Sequence, residues 1–491
     1  MPRSQTYTTK KIVNLCISLF FMFLFGKICP TWGPVTRLGV EAIGIFLGGI
    51  WMIAQGFGMI APSTLIMLAM ILTGFTNGND IIAQTLGSPT VWQLIIIFVV
   101  LYALTDSGAD AVLARWMISR KSLNGRPVLF TVVFFLAMTV LGALASALGA
   151  YMFSIAMIDS IAETVGYDNK SQWKKAMYTG AIVTASVGGG ILPFKGMAMM
   201  IFNLLAGGLN EAGVHIDQVS YMIAAILSGI LISIAVGLSI GTLFRADLSK
   251  LKDTDVAAIT SAGGTSFNRR QSWTMILFVI GVMYSIVMIW VPKEFPGFPI
   301  MNGIGQGFWF ALIAVLMFFI HIDGAPLLDI DRAMNKAVNW GIVMAVCAFT
   351  ALGMMVSNNE LGVRDWLAGI MNALFGSMPF PMFVVVLVLL TLICTNVFSN
   401  TATAVIIGTV VGPLLINYGL GGINVSCVIP GIVMSALCAF LTMAAGGSSP
   451  LFLGTECMQE DPNWILRWGL LVFPIVTVSS SIAYIVCAYV L

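Results

Sequence analysis

The chain is expected to be an all-α integral membrane protein with about eleven transmembrane helices and two re-entrant hairpins. Three observations lead there. The 491 residues are 59% hydrophobic and only 9% charged, with a mean hydropathy of +0.98, whereas a soluble domain is about one quarter charged. Apolar runs of about 20 residues recur without the every-second-residue alternation of a barrel strand. Two longer apolar regions, 127–163 and 379–418, are each interrupted near the middle by small or polar residues, as a segment that enters the membrane and turns back would be.

In chain order the spanning runs fall at 11–28, 36–55, 57–74, 91–110, 173–206, 221–243, 273–291, 303–321, 338–356, 425–455 and 464–489. The first, from Ile12, continues to a full spanning length, so it reads as a helix and not as a cleavable signal. With the N-terminus inside, eighteen of the 23 Lys and Arg residues lie on the cytoplasmic side, four (Lys27, Arg37, Lys293 and Arg364) outside, and Lys195 within a span. That asymmetry sets the N-terminus in the cytoplasm and the C-terminus outside. The chain is thus expected to be a multi-pass protein of a cell membrane, such as a bacterial inner membrane. The Gly/Ser/Thr-centred interruption at 245–272 reads as a flexible cytoplasmic linker. The expected layout is an N-terminal helix (1–35), a first repeat (36–244), the linker, and a second repeat (273–491).

The repeats show in three ordered matches. "WQLIIIFVVLYALTDSGADAVLARWM" from Trp92 answers "WGIVMAVCAFTALGMMVSNNELGVRDWL" from Trp340. "LGALASALGAYMFSIAMI" (141–158) answers "CTNVFSNTATAVIIGTVV" (394–411), and "VTASVGGGILP" (183–193) answers "LTMAAGGSSP" (441–450). Five spans per half is an odd number, so the copies would lie in the membrane with opposite topology. Inverted repeats, each with a re-entrant hairpin and a Gly-broken helix, are a transporter architecture.

Polar, non-helical backbone at membrane depth is tolerated only where protein or a water-filled cavity surrounds it. Ser399, Asn400 and Thr401 at a hairpin tip would open a half-helix with free amides and hydroxyls, a setting for an anion. The Asn side-chain carbonyl and nearby backbone carbonyls can hold Na⁺. Interhelical hydrogen bonding is the competing reading of such a cluster. Lys195, two residues after Pro193, is costly in hydrocarbon unless paired or hydrated. It is expected either to replace a sodium ion as a fixed positive charge or to pair with the substrate's anionic group; snorkelling to an interface is the alternative. Asp106, Asp110, Asp159 and Glu163 read as helix-end or solvated charges. The eight scattered cysteines read as packing residues. The net charge of +2 gives no reason to expect a nucleic-acid partner, and the absence of HExxH, GxSxG, DDxxD and GxxxxGK[ST] patterns argues against an enzyme or an ATP-driven pump.

From about residue 36 onward, "SNTATA" at 399–404, "GAPLLDIDRAMNKAVNWGIV" at 324–343 and the Gly/Pro break in each half resemble the divalent-anion:sodium symporter family, the dicarboxylate, citrate and sulfate carriers of the ion-transporter superfamily. The resemblance implies an elevator-type homodimer in a lipid bilayer, moving a small anion by symport with sodium. It implies that Ser399, Asn400 and Thr401 bind the substrate's carboxylates, with Ser399 and Asn400 also helping to hold sodium, and that Thr395 and Ala444 line the same second sodium site. The first half departs from the family pattern. Its tip reads Ser146-Ala147-Leu148, leaving Ser146 as the substrate ligand there, and "GGGILPFKGMAMM" replaces the family's Thr/Pro/Asn run. The expected function is secondary transport of a di- or polycarboxylate coupled to one Na⁺ in the second half. Cation-independent exchange and a passive channel are the alternatives.

Overall fold

The structure, a computed structural model, describes residues 9–145, 147–252, 255, 264–291, 294–375, 378–397, 399–441, 449–461 and 463–491. It is helical almost throughout; the one sheet among the described residues pairs His321–Ile322 antiparallel with Ala325–Pro326. Among the described residues, six helices are long and apolar enough to cross a membrane: Thr9–Ile28, Pro127–Leu144, Gln218–Gly241, Phe298–Phe319, Asn400–Leu420 and Trp464–Val490. Two bent pairs bring the number to eight, Val91–Ser107 with Ala109–Ile118 (60°) and Ile330–Lys336 with Trp340–Val356 (69°). The other expected spans also hold helices, among them Arg37–Ala54, Ile60–Leu72 and Arg269–Trp290.

Local chemistry starts these helices where the sequence suggests. Thr36 caps Arg37–Ala54 by accepting from the Gly39 amide. Ser88 precedes a proline in the first turn of Pro89–Ser107 and accepts from the Val91 amide. Asn268 and Gln271 form a reciprocal capping box on Arg269–Trp290. Each such cap satisfies amides that a helix start leaves without partners.

Both expected hairpins are present. The first pairs Pro127–Leu144 with Ala147–Val165, and the second pairs Phe380–Thr395 with Asn400–Leu420. Two expected spans are interrupted: Gln172–Gly188 resumes as Gly196–Glu211, and Ile429–Leu437 resumes as Ser449–Leu453. Glycine makes the first crossing possible. A Cβ on Gly142 would collide with the Ala185 carbonyl, and one on Gly188 with the Thr139 carbonyl, so the inbound helix of the first hairpin lies directly against Gln172–Gly188. Thr139 Oγ1 sits 2.8 Å from Ser233 Oγ, bonding the hairpin to Gln218–Gly241 in a fully buried position. All eight cysteines are free thiols, five of them buried among apolar side chains.

The charged residues near helix ends pair with neighbours. Asp159 accepts from Lys174 Nζ at 2.7 Å and from the Tyr178 hydroxyl at 2.5 Å. Asp106 faces Arg270 and Arg332 at 3.7 and 3.6 Å, while Asp110 is buried in the first turn of its helix and accepts from the Ala111 amide.

Gly188→Val should force the first hairpin away from Gln172–Gly188 at a cost of about 1–3 kcal/mol. Thermal unfolding of the purified protein in detergent should show a melting temperature several degrees lower; an unchanged value would contradict this close crossing.

Candidate functional site at the hairpin tips

The second tip is built from the end of Phe380–Thr395 and the start of Asn400–Leu420. Ser399 is the N-cap, its hydroxyl accepting from the Ala402 amide at 3.3 Å, while its carbonyl takes the Thr403 amide. The amides of Asn400 and Thr401, the first two of the helix, have no protein acceptor among the described residues, and neither does the Thr401 hydroxyl. These are donors at the positive end of a helix 21 residues long, a setting that favours an anion. Thr403, one turn on, is 1% exposed and its hydroxyl also lacks a partner.

A few ångströms away the chemistry reverses. Thr395, fully buried, places its hydroxyl within bonding distance of Asn400 Oδ1 (3.2 Å) and of the Ala436 carbonyl. One hydroxyl proton cannot serve both acceptors, so three oxygens share a single hydrogen. That acceptor excess suits a hard cation, and Thr395 and Asn400 are the residues able to hold one.

The first tip is organised around Lys195. Lys195 has extended backbone (φ −124°, ψ 131°) and precedes Gly196, whose φ of +50° begins the second half of the broken helix. Its Nζ donates to the carbonyls of Gly142 (3.2 Å), Ala143 (2.9 Å) and Ala145 (2.5 Å). These carbonyls lie at the end of Pro127–Leu144, where a helix leaves its last acceptors unpaired and its dipole is negative. An ammonium carries three N–H donors, and here three carbonyls take them. The break itself is held by the Tyr221 hydroxyl, which donates to the Gly190 carbonyl at 2.7 Å.

The first tip and the end of the second crossing helix meet beside Gly189. A Cβ on Gly189 would touch Ala147 of the first tip at 3.5 Å and Leu437 at 3.7 Å, and the residue before Leu437 is Ala436, the partner of Thr395. Lys195 thus reaches the end of the first hairpin's inbound helix, and Thr395, with Asn400 beside it, reaches Ala436 at the second break; Ser399 and Thr401 stand at the same helix start as Asn400. Ser146 and Ala444, the other expected ligands, lie outside the described residues.

One residue escaped the sequence reading. Asn396, 3% exposed, donates from Nδ2 to the carbonyls of Leu392 (2.8 Å) and Cys438 (3.2 Å) and accepts at Oδ1 from the amides of Phe440 and Leu441, both 2.9 Å. The signal was available: an amide side chain one residue past the end of an apolar helix, in a hairpin that would otherwise be dry.

A separate polar cavity of about 590 Å³ is lined by Asp80, Gln84, Glu211, Asn358 and Glu360. Three carboxylates make it a poor site for an anion.

Among solved structures, the chain resembles the Alcanivorax borkumensis YdaH transporter, described as having an unusual topology, with a TM-score of 0.56 and 15% identity over 84% of this chain and 88% of that one. At that identity the likeness concerns the fold. No curated protein sequence matches the chain. The model of a citrate transporter family matches residues 49–419, a stretch that contains both hairpins, the first broken helix and the second tip. The chain therefore belongs to the citrate transporter family and has the fold of a helical membrane transporter.

Proposed function

We propose that the protein is a secondary active transporter of a small carboxylate, a di- or tricarboxylate with citrate as the first candidate, coupled to one Na⁺ held at the second tip. The observation that carries this reading is the set of unspent donors on Asn400 and Thr401 at a helix start, inside the fold of an anion-carrier family. Carboxylate oxygens accept charge-assisted hydrogen bonds from such amides and hydroxyls. Ser399 and Thr401 bind the anion from this side and Ser146 from the first tip. Thr395, Ser399 and Asn400, with the backbone at Ala444, hold sodium.

Lys195 fits the role of a tethered cation better than that of a substrate ligand. Its three donors are already directed to Gly142, Ala143 and Ala145, so a substrate would have to break a bond to reach it. The positive charge that a first-half ion would bring is thereby attached to the chain and travels with it, loaded or empty. The same feature favours the second reading, a cation-independent exchanger, because a carrier with a built-in cation needs less help from solution. A passive channel would leave the two broken helices without a purpose.

Movement has a supporting feature. Gly353 on Trp340–Ser357 and Gly408 and Gly412 on Asn400–Leu420 line a small apolar cavity of about 60 Å³ with Leu204 and Leu352. Leu204 packs there against glycine, which has no side chain to interlock with it, at both Gly353 and Gly408; such a face suits an elevator-type displacement of the hairpins past a scaffold in each subunit of a homodimer.

Uptake of citrate into proteoliposomes should be saturable, show counterflow and follow Na⁺ with a Hill coefficient of about one. Non-saturable flux would indicate a channel, and saturable flux indifferent to Na⁺ would indicate the exchanger. Lys195→Met would leave three carbonyls without donors at about 1–3 kcal/mol each. The variant should melt lower and either lose transport or follow Na⁺ with a Hill coefficient of about two; unchanged uptake and ion dependence would reject the tethered-cation role.

A further inference from the structure

In each half a polar side chain with three partners across the gap ties the end of the inbound hairpin helix to the break in the crossing helix. In the first half the tie runs from the break to the hairpin, through the Lys195 ammonium to the carbonyls of Gly142, Ala143 and Ala145. In the second half it runs the other way, from Asn396 in the hairpin to the Cys438 carbonyl and the Phe440 and Leu441 amides of the break. The orientation of the amide is fixed by its partners, because a flipped side chain would set NH₂ against two N–H groups and oxygen against two carbonyls. We infer that Asn396 is the positioning residue of the second tip, a neutral counterpart of Lys195 that sets the oxygen cluster of Thr395 and Asn400 by clamping the hairpin to the segment 438–441.

The geometry connects the two directly. Asn396 follows Thr395, whose hydroxyl must reach both the Ala436 carbonyl and Asn400 Oδ1. Ala436 lies two residues before Cys438, which Asn396 holds. Releasing the amide would free Thr395 and Ala436 to separate, and the three oxygens would no longer converge. The two ties differ in one physical respect. A tethered ammonium brings its own charge to three carbonyls, so the first hairpin is neutralised without any ion. An amide brings none, so the acceptor excess beside it persists until a cation arrives. Sodium should therefore act on the second hairpin alone.

This inference rests on the sodium reading above, and the test separates the two. Tritiated citrate binding and Na⁺-dependent thermal stabilisation of the purified full-length protein are measured for the native chain, Asn396→Ala, Asn396→Ser and Asn396→Asp. If Na⁺ neither stabilises the native chain nor promotes its citrate binding, the sodium reading fails and the role of Asn396 fails with it. If the native chain responds, Asn396→Ala should raise the Na⁺ concentration for half-maximal stabilisation at least about tenfold. Its citrate affinity at saturating Na⁺ should change much less, and Asn396→Ser should recover part of the loss. Asn396→Asp, which sets a carboxylate against the Leu392 and Cys438 carbonyls, should make stability more dependent on Na⁺ than in the native chain. A uniform loss of binding and stability with an unchanged Na⁺ midpoint would overturn the proposal, as would a native midpoint in all three variants. Should Asn396→Ala not fold, the midpoints of the serine and aspartate variants decide alone.

Discussion

A helix that stops inside a bilayer strands up to four amides or four carbonyls where water cannot reach them. This structure has several such ends close together, at the two hairpin tips and the two interrupted helices, and its central chemistry follows from how each is satisfied. Protein groups take the ends that must stay shut. Lys195 covers the carbonyls that close the first inbound helix, Tyr221 covers the Gly190 carbonyl, and Ser449 donates to the Ala439 carbonyl at 2.6 Å. Among the described residues, the ends without a protein partner include the amides of Asn400 and Thr401. A carrier needs its vacancies where the solute binds, and these are of the sign that a carboxylate fills.

The same accounting explains why the two halves, alike in element order, are chemically unequal. Hydroxyl and amide oxygens crowd around Thr395 with too few protons, whereas the corresponding carbonyls in the first half already face an ammonium. Lys195 stands two residues after a proline, and because its side chain reaches the end of the hairpin helix, the carbonyls there meet a charge that belongs to the chain. Gly196 helps here: its left-handed backbone turns the chain immediately after Lys195, so the side chain leaves the helix it precedes and reaches the carbonyls of another.

Much of this was legible in the sequence because the bilayer imposes harsh rules. Runs of apolar residues located the helices, and interruptions at 127–163 and 379–418 located both hairpins. Lys195 stood out because a charge in a span needs a reason. The details that escaped depend on distance between elements, which spacing alone does not encode. Sequence left open whether Lys195 meets an ion site, a substrate or an interface; the three carbonyls to which it donates close another helix, a partner that spacing does not encode. Asn396 escaped because its partners, the Cys438 carbonyl and the Phe440 and Leu441 amides, lie more than 40 residues away in the chain. The helix breaks were visible as glycine and proline, but not the fact that Ala147 and Leu437 both lie beside Gly189.

The central claim is that the second tip, with its open amides, faces the transported anion. The most direct measurement is the reactivity of Ser399→Cys, with the native cysteines replaced, toward a membrane-impermeant thiol reagent in the presence and absence of citrate. The account predicts a thiol that reacts and is shielded when citrate binds. A thiol that never reacts, or one that reacts at the same rate with citrate present, would contradict it.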